Sequence, residues 1–204
     1  MAFQPRLRQT VPVSDGASTF QNQPAGLNRA QILAALAALN QALTAEGMVG
    51  ELCLFGGAVM VLAFNARLAT KAVDAVFQPA AVVRRLAAEV GESVGLPTGW
   101  LNDGVKGFLS ARHQSVAGSL PQFANLRLTM PVPEYLLALK CMAARVGISP
   151  GEGDDTADIV FLARHLGLST SAQVLAIVVD YYPPNRLAPK TQFLVESLFE
   201  EGSV

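Results

Sequence analysis

Apolar residues recur at two spacings along this chain, and the switches between them mark out its elements. Ile32, Leu36, Leu39 and Leu43 fall three or four apart, the spacing of one helical face. Asn28 followed by Gln31 supplies a capping box at the start of that helix, and Glu46 and Gly47 a place for it to end. A continuous apolar stretch over residues 52–55 predicts a short buried strand, stopped by Gly56 and Gly57, and residues 58–64 resume as helix. Residues 73–77 predict a second strand, bounded by Pro79, after which Val82, Val83, Leu86, Ala87 and Val90 return to helical spacing. Gly95, Leu96 and Pro97 break that pattern, and residues 100–104 predict a turn into a further short element. Residues 126–130 alternate and predict a third strand, closed by Pro131.

From Pro133 the character changes. Helical patterns cover residues 134–145, 156–166, 172–181 and 191–200, punctuated by Pro150 and Gly151 and by Pro183 and Pro184. Strands confined to the first two thirds and helices filling the last third predict an α+β fold, with a core over 28–132 and a helical part over 133–204. Residues 1–27 are rich in Gln, Pro, Gly, Ser and Thr without periodicity and predict an extended arm with at most one short strand.

Composition narrows the class. A chain of 204 residues, 51% apolar and 15% charged, can fill a core and does not fit global disorder. A net charge of -1 excludes a broad basic surface for gripping duplex nucleic acid. The longest apolar run, residues 52–64, is interrupted by the glycine pair and falls short of the roughly 20 residues that span a bilayer. No apolar run follows Arg6 and Arg8, so no secretory signal and no membrane partner are expected, and the location is read as cytoplasmic. Cys53 and Cys141 lie in apolar surroundings without a His or third Cys at ligand spacing, which predicts two buried reduced thiols. His113 and His165 lack partners at triad or ligand spacing and read as surface or capping residues, and Tyr181 and Tyr182 ahead of the proline pair read as a packed helix exit.

The segment with most chemical content begins at Phe55, Gly56 and Gly57 and continues at Thr70, Lys71, Ala72, Val73 and Asp74. A glycine pair between a strand and a helix lets backbone approach a ligand closely and leaves N–H groups where a phosphate is favoured. Asp74, on a strand expected beside the first, is a carboxylate that could hold Mg²⁺ against nucleotide phosphates.

The order of strand, Gly56–Gly57, helix, Thr70–Lys71–x–x–Asp74 and strand resembles the nucleotidyltransferase superfamily. It is most similar to the bacterial branch akin to the toxins of abortive-infection (type IV toxin–antitoxin) systems. Further matches are Trp100–Leu101–Asn102–Asp103, the stretch from Pro133 to Lys140, Arg145, and Asp155–x–x–Asp158–Ile159, so the resemblance covers about residues 28–200. It implies a small mixed-sheet nucleotidyltransferase-like core followed by the helical part. Gly56, Gly57, Thr70 and Lys71 would bind nucleotide, and Asp74 would be catalytic and a Mg²⁺ ligand. Lys140 would be the second catalytic residue, reaching a phosphate or stabilising charge in transfer, with Asp155 and Asp158 in the layer behind. The implied reaction moves a nucleoside monophosphate from an NTP to a protein or RNA acceptor, tRNA among them, and the implied partner is a cognate antitoxin or toxin protein.

The chain departs from the family pattern at one place that matters. The family carries Asp-x-Asp, two carboxylates on one strand face, and here the first position is Ala72. The later strand that ordinarily brings a third acid, residues 126–129, has none. Two readings follow: a transferase, or a catalytically degenerate relative that binds nucleotide or a partner protein without turnover.

Overall fold

A computed structural model describes residues 26–144, 155–200 and 202–204. The arm expected over 1–27 lies outside the described residues except for Gly26 and Leu27, as do Arg145, Pro150 and Gly151.

The chain is an α+β protein built on a five-stranded mixed sheet. β1 (Leu27–Asn28) leads into α1 (Arg29–Ala45), which Asn28 caps as expected. The Asn28 side chain accepts from the Gln31 N–H at 2.9 Å, and the Gln31 side chain accepts from the Asn28 N–H at 2.9 Å. β2 (Gly50–Phe55) runs into α2 (Gly56–Leu62). β3 (Ala69–Thr70) pairs with β1 in a small separate sheet, a pairing too short to leave a periodic trace. β4 (Val73–Gln78) and α3 (Ala80–Val94) follow, then β5 (Leu101–Asn102), a 3₁₀ turn over Gly104–Phe108, β6 (Ser115–Val116) and β7 (Leu126–Pro131).

The strand order is β5-β4-β2-β7-β6, with β2 antiparallel to β4 and parallel to β7. Residues opposite one another point to the same face. Leu52, Leu54, Val73, Ala75, Phe77, Leu126 and Leu128 therefore share one face, and all are buried. α1 covers it closely: a Cβ on Gly50 would come within 2.8 Å of the Leu43 side chain. The other face carries Glu51, Cys53, Asp74, Val76, Arg127 and Thr129, all half-buried or exposed, so this side of the sheet stays partly open.

From Pro133 on, every described element is helical: α4 (Pro133–Ala143), α5 (Asp155–His165), α6 (Ser171–Tyr181), a 3₁₀ turn over Pro184–Arg186, and α7 (Pro189–Glu200). α4 is buried on all sides from Tyr135 to Cys141, as befits a helix that α5, α6, α7 and β7 all contact. Tyr135 meets Phe55 edge-on at 6.4 Å and stacks on Tyr181 at 4.9 Å, tying the helical part to the rim of the sheet. No helix among the described residues is long and apolar enough to cross a membrane.

Candidate functional site

β4 places Asp74 opposite Phe55 of β2 and opposite Asn102 of β5, on the partly open face. Asp74 thus sits at the rim where β2 ends and the chain turns into α2. Gly56 makes that turn with φ of 58°, a left-handed conformation that a side chain would strain. A Cβ at Gly56 would lie 3.2 Å from Asp74 Oδ2, so glycine keeps the flank of the carboxylate clear.

Gly57 serves a different neighbour. A Cβ there would collide with Oγ1 of Thr70 and lie 2.9 Å from the Thr70 Cβ. The space beside Gly57 is therefore filled by Thr70, whose hydroxyl donates to the Ala72 carbonyl at 3.1 Å. Lys71 is exposed on the bend between β3 and β4. Ala72 lies on the same bend, just ahead of β4 rather than within it.

Lys140, on the buried helix α4, is brought to this rim together with two acids from α5. Its Nζ donates to Asp155 Oδ1 at 2.8 Å and lies 2.7 Å from Asp158 Oδ2. Asp158 also accepts two bonds from Arg67, from Nε at 2.6 Å and Nη2 at 2.8 Å, a bidentate fork. The side chains differ sharply in exposure: 2% for Asp158, 7% for Lys140, 16% for Arg67 and 29% for Asp155. Asp158 is the fixed centre of the network and Asp155 its wet edge.

Asp74 belongs to the same electrostatic neighbourhood. Burial pushes its carboxyl above the ordinary 3.8; the bond from the Asn102 side chain and the charge of Lys140 pull it back, and the Asp155 carboxylate pushes it up again. Asn102 is itself held by its Oδ1, which accepts from the Gly104 N–H at 2.9 Å. Among these five side chains, three carboxylates (Asp74, Asp155, Asp158) outnumber two cations (Arg67, Lys140).

No family model, no curated protein and no solved structure matches this chain. The chemistry of the site therefore rests on its own geometry. Among the described residues no group of three or more His, Cys, Asp and Glu side chains is arranged to hold a metal ion. Were Mg²⁺ to bind here, Asp74 would be the protein carboxylate to hold it, and a substrate would have to supply further oxygens.

Gly56 lies beside Asp74, Lys140 lies with Asp155 and Asp158, and the charges of Lys140 and Asp155 act on Asp74; these are five of the residues singled out from the sequence. Arg67 was not singled out, although it fixes Asp158; its partner lies 91 positions away, a separation no local pattern reveals. Asn102 stood in a matched segment without a role, and its place beside Asp74 supplies one. His113 and His165 are exposed, and His165 packs against Phe64 and Phe161. Cys141 is buried and its thiol is pushed up to about 12 by burial; Cys53 is only half-buried, facing the open side of the sheet.

Proposed function

We propose that this chain is a nucleotidyltransferase-like protein that binds a nucleoside triphosphate together with Mg²⁺ at the Asp74–Lys140 rim, and that it works as a nucleotide-binding module that engages a partner. The observation that carries this reading is the convergence of Asp74, Lys140 and Asp155 from β4, α4 and α5 beside the glycine turn at Gly56. An excess of negative charge disfavours a bare triphosphate, whereas a Mg²⁺ ion bound with it offsets that charge. Mg²⁺ would draw charge from the phosphate oxygens. Asp74 supplies the protein ligand, Asn102 orients it, and Lys140 is the cation within reach of a phosphate. Ala72 and the acid-free β7 favour binding over turnover, because a single strand carboxylate is a poor holder of two metal ions.

Equilibrium titration of the full chain with ATP, GTP, CTP and UTP in Mg²⁺ is the direct test. Saturable binding of at least one NTP, weakened roughly tenfold or more by Lys140→Gln, is expected. Absence of saturable binding for all four would overturn the proposal.

A second reading, NMP transfer to a protein or tRNA acceptor, draws on Asp155: its charge pushes the Asp74 carboxyl up, and it would be the second carboxylate where Ala72 supplies none. Incubation with labelled NTPs, Mg²⁺ or Mn²⁺ and cell extract tests it. Labelling of an acceptor that Asp74→Asn abolishes supports transfer; no labelling under any of these conditions removes it. A cognate antitoxin or toxin protein is the partner proposed for either reading.

A further inference from the structure

The two carboxylates on Lys140 are not equivalent. Asp158 is almost wholly buried and held by both arms of the Arg67 fork as well as by Lys140, so it is fixed in place. Asp155 has no such second hold among the described residues, stands at the first turn of α5, and is the most exposed of the four charged groups. Its charge also acts on Asp74, whose carboxyl it pushes up. A carboxylate at 2.8 Å from an ammonium occupies the position a phosphate oxygen would take.

We infer that Asp155 is an autoinhibitory counter-ion: it occupies Lys140 in the unliganded protein and is displaced when the phosphate chain of a nucleotide binds. This rests on the nucleotide-binding reading above and adds the regulation of that site. Asp158 keeps Lys140 in place throughout, and the exchange at Nζ is one oxygen anion for another. Displacement also relieves the repulsion between Asp155 and Asp74. The cost of breaking the Asp155 contact is subtracted from the binding of every ligand, so the contact sets a threshold concentration for occupancy.

The test compares the full wild-type chain with Asp155→Asn, which keeps the shape and remains acceptable at a helix start. Asp155→Ser serves as a second variant should the first fail to fold. Inorganic tripolyphosphate and the four NTPs are titrated with Mg²⁺ and with EDTA. Tripolyphosphate and NTP affinities that both rise roughly three- to tenfold in the variant are expected, with the gain shrinking as salt is added. The gain should vanish in the Lys140→Gln background, where there is no ammonium to release. Unchanged or weaker binding in a variant, with wild type still binding NTP, overturns the counter-ion and leaves the nucleotide-binding reading standing. Weakening seen only with Mg²⁺ also overturns it, since Asp155 then acts as a metal ligand. No binding by wild type or variant removes both.

Discussion

Asp74 carries a charge in a place that resists charge. Its carboxyl is raised by burial, so between the unfolded value near 3.8 and the higher folded value the native chain holds more protons than the unfolded one. Stability therefore falls as pH rises through that window, and the full penalty persists above it. Asp74→Asn, which keeps the shape and removes the charge, is expected to melt higher than wild type at neutral pH and to match it at pH below the unfolded value. Thermal melts across the acid-to-neutral range check this. A gain of equal size at acid pH would assign the effect to packing instead. A residue that destabilises its own fold when ionised has the character of a ligand-binding group, because a cation would relieve what folding leaves unrelieved.

At the scale of elements, α1, α3 and the long strands β4 and β7 are readable because each buries one periodic stripe, whereas β2, α2 and α4 show as nearly continuous apolar runs. α1 and β4 begin where the sequence signals them, at Asn28 and Val73. The two-residue strands β1, β3, β5 and β6 were not readable as such, since a pair of residues has no period and its partner lies elsewhere in the chain. The glycine pair was legible as a turn, but its division of labour was not: Gly56 clears Asp74, while Gly57 admits Thr70. Gly57→Ala should accordingly destabilise the protein by about 1–3 kcal/mol, because β3 must shift to make room for the methyl group. Denaturant unfolding measures it. A loss well under that range would mean that Thr70 can swing aside without moving its strand.

For the molecule as a whole, the sheet and the helical part meet through buried polar groups as well as apolar contacts. Tyr182 donates to the Phe108 carbonyl at 2.6 Å, and the Tyr135 hydroxyl accepts from the Ser110 N–H at 2.9 Å, joining the segment after β5 to α4 and to the end of α6. Asp158 joins α5 both to α4 and to the segment that carries Arg67. Asp158→Ala removes the carboxylate that Arg67 and Lys140 share, while Asp155 stays on Lys140, and is expected to cost about 1–3 kcal/mol. Far-ultraviolet and near-ultraviolet melts of wild type should coincide in one transition, and those of the variant should fall together. Separate transitions would mean that the two parts unfold independently.

The position of Asp158 also fixes when in the life of the polypeptide the site can exist. A nascent chain synthesised through Ala144 already holds Arg67 and Lys140, but not the carboxylate that brings them together. The sheet, the glycine turn and Asp74 all lie upstream of the carboxylate that Arg67 and Lys140 share. If the rim binds nucleotide as proposed, competence to bind would arrive with α5, late in translation, and ribosome-bound chains arrested before residue 158 should lack it.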